Sequence, residues 1–139
     1  MYPFIRLFKD MARARKAPRM GLFRMAKELW ISRNQPPLEL GESHISHHIC
    51  WPWDLDLWKE LNNGRTLTLY DLGRIPMAER MGLLEVLKRE RWGLTVAGSV
   101  VRYRRRVRGF DRVEMQTRLI GWDRRFTYIE QSMWNSRDE

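Results

Sequence analysis

Two aspartates, Asp54 and Asp56, precede an Asn62-Asn63-Gly64 turn in the stretch Trp51–Arg74, WPWDLDLWKELNNGRTLTLYDLGR. A carboxylate pair followed closely by a helix start can hold an anion opposite the positive end of that helix. If the segment is extended, Asp54 and Asp56 share a face and one can orient the other. The plainer alternative is that both cap the helix or pair with Arg65 and Arg74. Glu60 lies between them and the turn, as an auxiliary acid or base or as a solvated loop carboxylate. His44, His47 and His48 tempt a metal assignment. On a strand, however, His44 and His48 share one face and His47 points the other way, so no metal site is expected.

The elements that must position these groups follow from pattern. Residues 1–34 carry nine Lys/Arg against Asp10 and Glu28, which places +7 of the net +9 in this segment. Phe4, Leu7, Phe8 and Met11, and later Leu22, Met25, Ala26 and Leu29, follow helical spacing, with Pro18 and Gly21 interrupting. Such an amphipathic basic arm could lie on an anionic membrane surface, bind a partner, or pack on its own domain. Asn34–Pro37 reads as a linker, which predicts an arm over 1–34 and a domain over 35–139. A first strand is expected over Ser43–Trp51. A helix capped by Asn62 or Asn63 follows, ending or kinking at Gly73 and Pro76, with a second helix from Pro76. Leu94–Val107, Arg112–Trp122 and Arg125–Trp134 predict three consecutive antiparallel strands, the last two joined at Asp123-Arg124.

Composition bounds the class. The chain has 139 residues, 43% of them hydrophobic, and seven tryptophans, enough for one folded domain. A single cysteine, Cys50, forms no internal disulfide. No apolar run approaches the roughly 18 residues of a membrane span. The expected location is cytoplasmic, with peripheral membrane contact through the arm. Charge confined to one arm, without a recognised motif, argues against nucleic acid as the partner.

The residues Pro52-Trp53-Asp54-Leu55-Asp56, then Asn62-Asn63-Gly64-Arg65 and Asp71-Leu72-Gly73-Arg74, resemble the thioesterase-like branch of the hotdog superfamily. Arg102-Tyr103-Arg104-Arg105, Gly121-Trp122-Asp123 and Tyr128-Ile129-Glu130-Gln131 extend the likeness over roughly residues 38–134. The resemblance implies an α+β hotdog fold, an antiparallel sheet wrapped around a central helix, assembled as a homodimer. It implies hydrolysis of an acyl-CoA or acyl-carrier thioester without metal or organic cofactor, coenzyme A entering only as part of the substrate. By matched position Asp56 is the catalytic carboxylate, and Asn63 and Gly64 supply backbone N–H groups to the oxyanion. Asp54 and Glu60 would flank the substrate, and Arg102, Arg104 and Arg106, on one strand face, would meet the phosphates of coenzyme A. A noncatalytic acyl-ligand-binding or membrane-associated scaffold of the same fold is the rival expectation. Three departures stand out. Lys59-Glu60-Leu61-Asn62-Asn63 replaces the family's Gly-His-Met-Asn-Asn, and Thr66 replaces a tyrosine. The family's further strand after Arg125–Trp134 has no counterpart in the closing residues Asn135–Glu139.

Overall fold

The structure is a computed structural model that describes residues 19–136, with side-chain environments from residue 21 onward. Its elements are α1 (Arg19–Arg33), β1 (Ser43–Ile49), a 3₁₀ turn (Pro52–Asp54), α2 (Asn63–Arg80), α3 (Leu83–Glu90), β2 (Arg112–Trp122) and β3 (Thr127–Asn135). The first half of the expected arm, with Phe4, Leu7, Phe8 and Met11, lies outside the described residues. In the second half Gly21 does not interrupt the helix; α1 runs through it. Among the described residues no helix is long and apolar enough to cross a membrane.

The helix α2 begins where the sequence places it. The Asn62 side chain accepts from the N–H groups of Gly64 (2.8 Å) and Arg65 (3.2 Å), satisfying two of the donors a helix start leaves open. Two threonines fit because their hydroxyls donate back one turn, Thr66 to the Asn62 carbonyl and Thr68 to the Gly64 carbonyl. The expected break at Gly73 and Pro76 does not occur. Pro76 forfeits one backbone bond, but it is among the most buried residues of the chain, and packing holds the helix together to Arg80. The break comes at Gly82, whose φ of 72° is left-handed, and α3 follows.

The sheet is antiparallel in the order β1-β2-β3. β2 alternates as its sequence does, turning Val113, Met115 and Thr117 inward to full burial. Leu69 and Leu72 of α2 meet Met115 there, with Met25, Leu61, Tyr70 and Met133 around them. Gly73 is where helix and sheet come closest: a Cβ there would stand 2.4 Å from Thr117 Oγ1 and 2.8 Å from Met115 Sδ. Gln131 bridges the same point, donating to the Tyr70 carbonyl and to Thr117 Oγ1, both at 2.9 Å.

Three strand expectations need correction. The first strand stops at Ile49 rather than Trp51, and the last runs over Thr127–Asn135 rather than Arg125–Trp134. Leu94–Val107 forms no strand: residues 92–107 have no regular structure and are mostly exposed, with Val96 and Val100 open to water. A strand exists only as a pairing between segments, and among the described residues none of β1, β2 and β3 takes 92–107 as its neighbour, although the outer edge of β3 is open. The expected three-stranded meander is therefore the β2–β3 hairpin, closed by Asp123, whose Oδ1 accepts from the N–H groups of Arg125 and Phe126.

The inner face of β1 is polar. His44, Ser46 and His48 are buried there, and α1 lays Glu28 and Ser32, also buried, against the domain. Arg80 donates to His44 Nδ1 at 3.1 Å, which leaves the proton on Nε2. Ser46 Oγ lies 2.9 Å from His48 Nε2, and Glu28 Oε1 lies 3.8 Å from His48 Nδ1. Burial, with the neighbouring Arg80 for His44 and Arg24 for His48, pushes both imidazoles down to about 4. Both are therefore neutral at pH 7, and the Glu28 contact is not an ion pair. Burial also raises the Glu28 carboxyl above its ordinary value.

These shifts carry a sign. The unfolded imidazoles titrate near 6.5, so between about 6.5 and 4 the unfolded chain binds more protons and stability falls as pH falls. Glu28 opposes this, since its raised carboxyl takes up its proton more readily when folded. The unfolding free energy from urea titration should be about 2–4 kcal/mol lower at pH 5 than at pH 7.5. A flat or rising profile on acidification would contradict the buried neutral pair.

Candidate active site

The segment between β1 and α2 is organised by Asp54, which is fully buried. The 3₁₀ turn starts at Pro52 and aims the Asp54 carboxylate back at its own beginning, where Oδ2 accepts from the Trp51 N–H at 3.1 Å. The same oxygen accepts from Arg24 Nη1 of α1 at 2.8 Å. Oδ1 accepts from Arg65 of α2 through Nη2 at 2.8 Å and Nε at 3.2 Å. Arg24 also donates to the Ile49 carbonyl at 3.1 Å, and the Asn62 N–H donates to the Asp54 carbonyl at 2.9 Å. One carboxylate thus joins α1, the end of β1, the turn and the head of α2. Trp51 stacks on Trp53 with ring centres 5.3 Å apart and meets Phe110 edge-on.

Asp56 is set differently. Its Oδ1 accepts from the N–H groups of Trp58 (2.8 Å) and Glu60 (3.2 Å), while its own N–H donates to the Glu60 carbonyl (2.8 Å). These bonds, with a Leu55–Leu61 bridge and Lys59 at φ 61°, close the residues into a tight loop. Asp54 and Asp56 therefore do not share an extended face. Asp54 is committed to the two arginines and does not orient Asp56, and Arg74, offered as an alternative partner, pairs with Asp71.

An open, mostly apolar groove runs along α2 between α3, β3 and the extended segment 92–107. Glu60, Asn63, Arg102, Arg104 and Arg106 all line it, whereas Asp54, Asp56 and Gly64 do not. Arg106 pairs with Glu60 at 3.1 Å, and Tyr103 donates to the Asn63 carbonyl at 3.3 Å, which fixes the basic segment at the head of the helix. The arginines reach the groove from a segment without regular structure, not from a strand face as expected. Of the two expected oxyanion donors, the Gly64 N–H is engaged by Asn62 Oδ1, and Asn63 is the one at the groove.

Arg24, outside the motif, and Tyr103, inside it but given no role there, hold the segment in place through Asp54 and the Asn63 carbonyl. A signal for Arg24 does exist in the sequence. Arg24, Glu28 and Ser32 recur every fourth residue, a polar stripe on one helical face; all three face the domain.

Residues 50–139 match the family model of the thioesterase-like superfamily. The chain belongs to that superfamily. Protein THEM6 of Xenopus laevis is 33% identical over 109 residues, covering 78% of this chain and 53% of that protein. Protein THEM6 of Drosophila melanogaster is 36% identical over 84 residues, covering 60% and 44%. The chain spans about half the length of the curated relatives it matches. The fold is that of the E. coli PaaI protein from the phenylacetic acid degradation operon, with a TM-score of 0.59 over 86% of this chain and 89% of that one, at 8% identity. The hotdog expectation holds. In this thioesterase-like chain the superfamily's central helix is α2, and the sheet behind it is the one formed by β1, β2 and β3.

Asp54→Ala should destabilise the fold by about 3–5 kcal/mol, because it leaves two largely buried guanidinium groups facing no charge. Urea denaturation of the variant against the parent measures this. A loss under about 1 kcal/mol would mean that the arginines find solvent instead.

Proposed function

We propose that the chain hydrolyses an acyl-CoA thioester in the groove along α2. The observation that carries this reading is the head of the groove. There a member of the thioesterase-like superfamily brings Glu60, Asn63, Arg102, Arg104 and Arg106 beside a helix N-terminus, next to the Asp56 loop. The apolar length of the groove takes the acyl chain. The arginines take the phosphates of coenzyme A by charge-assisted hydrogen bonds. The Asn63 N–H, backed by the helix dipole, favours the negative charge that develops on the carbonyl oxygen. Asp56 is the proposed catalytic carboxylate; it does not line the groove itself, and its loop meets the groove through Glu60, so the thioester carbonyl is placed at that end. Oδ1 is held by two backbone N–H groups, and Oδ2 is assigned either to take a proton from the attacking water or to attack the carbonyl carbon itself. On both routes the C–S bond breaks and coenzyme A leaves as its thiol; on the second, water then opens the acyl-Asp56 anhydride to free the acid.

A second reading has its own support. The engagement of Asp56 Oδ1 and of the Gly64 N–H within their own loop and cap suits an acyl-ligand-binding protein that performs no chemistry. Turnover separates the two. On a panel of short, long and aromatic acyl-CoA esters, Asp56→Asn should retain ligand binding and lose about 100- to 10,000-fold in rate. Turnover unchanged by the substitution would remove Asp56 from the mechanism. Acyl-CoA binding without any turnover in the parent chain would favour the second reading.

The same proposal includes a homodimer. Among the described residues β3 has a neighbouring strand on one edge alone, β2, and the groove beside its other edge lies open. Light scattering at about 50 µM should report twice the monomer mass of 16.9 kDa; a monomer at that concentration would count against the assembly.

A further inference from the structure

The helix α1 turns Met25 to the core but otherwise buries polar residues and exposes apolar ones. Its domain-facing residues include Arg24, paired with buried Asp54, and the buried Glu28 and Ser32. The residues left in water are Leu22, Phe23, Ala26, Lys27, Trp30 and Arg33, whose spacing of three and four gathers them into one stripe along the helix. Leu22 and Arg33 at one margin also border the groove, while Phe23, Ala26, Lys27 and Trp30 face away from it. Phe23 and Trp30 are each about 70% exposed (68% and 70%), so their rings gain almost nothing from the domain. A soluble helix that buries its salt-bridging residues and offers phenylalanine and tryptophan to solvent has its apolar face turned toward something else.

We propose that this outward face of α1 docks the protein on an anionic lipid surface, with Phe23 and Trp30 entering the headgroup layer between Lys27 and Arg33. The charge on the helix favours that occupant. The only acidic residue of α1, Glu28, is turned into the domain. Lys27 contacts the Glu28 carboxylate at 3.3 Å from a side chain that is still mostly exposed, and Arg33 contacts Glu79 in the same manner at 3.1 Å. Upstream, the sequence adds Arg6, Lys9, Arg13, Arg15, Lys16 and Arg19 against Asp10 alone. Aromatic rings flanked by basic side chains match the interfacial region of a membrane, where amphipathic rings and long cationic stems are both favoured. A second copy of the chain fits worse, because a two-fold contact would bring this positive stripe against itself.

The contact differs from that of a flexible basic tail. Arg24 ties α1 to Asp54 and to the end of β1, so the lipid-facing stripe has a fixed orientation relative to the groove. Lipid contact through this face requires no thioester chemistry in the groove.

The test uses the full chain and sedimentation with vesicles of phosphatidylcholine alone or with phosphatidylglycerol added. The parent should bind only the anionic vesicles, with a blue shift of tryptophan emission, and should release as salt is raised. The double variant Phe23→Ser, Trp30→Ser should keep its circular dichroism spectrum, since both rings are exposed, and lose binding by about tenfold or more. Lys27→Glu should weaken binding several-fold through charge alone. Failure of the parent to bind anionic vesicles would overturn the proposal. So would equal binding to both vesicle types, or unchanged binding by the double variant, which would leave the upstream charges as the sole cause. A parent dimer that becomes monomeric in the double variant would assign the face to a second copy instead.

Discussion

A carboxylate with no access to water must be balanced, and in this protein the balance is supplied from two helices. Removing Asp54 from solvent is tolerable only because Arg24 and Arg65 reach it from opposite sides and a backbone N–H completes the shell. Each arginine arrives with its helix, so the placement of α1 and the start of α2 are set by the same charge. The 3₁₀ turn exists to aim that carboxylate inward, and the Asp56 loop is what the chain does between leaving the turn and entering α2. The position of the groove head, and of Glu60 and Asn63 on it, follows from this one buried group.

The polar inner face of β1 has the same logic at lower charge. Where most sheets bury aliphatic residues, this strand buries two histidines and a serine, and α1 answers with Glu28 and Ser32. The interface excludes water without being apolar, which makes it specific in geometry and dependent on the imidazoles remaining neutral. Because α1 spends its polar residues on this interface, its aromatic residues have no place in the core.

What was legible in the sequence was what local chemistry decides. Asn62 caps α2 because a short amide side chain before an apolar run satisfies the first N–H groups whatever the tertiary context. The alternation of Arg112–Trp122 gave β2 for an equally local reason, and the motif around Asp54 carried the superfamily. Pro76 misled because its burial outweighs the backbone bond it removes, which no window of sequence displays. Leu94–Val107 has strand composition, but a strand is a relation between two segments, and among the described residues it pairs with none of the three strands. The apolar spacing of Leu22, Met25, Ala26 and Leu29 marked a helix without fixing its inward face. Met25 reaches the core while Leu22 and Ala26 stay in water, because Arg24 and Glu28 turn toward Asp54 and His48, which lie far along the chain. The site residues divided in the same way: Glu60, Asn63 and the three arginines converge on the groove, while Asp54 proves to be a keystone beneath it.

The superfamily model begins its match at residue 50, yet the cation that neutralises Asp54 from α1 stands at residue 24. The stretch that inheritance marks as a module is thus shorter than the stretch that must fold together. Cutting the chain at the recognisable boundary would yield a piece with the signature intact and its central carboxylate half answered. For this chain the unit of ancestry and the unit of cooperative folding are different lengths of polypeptide, and an expression boundary has to respect the second.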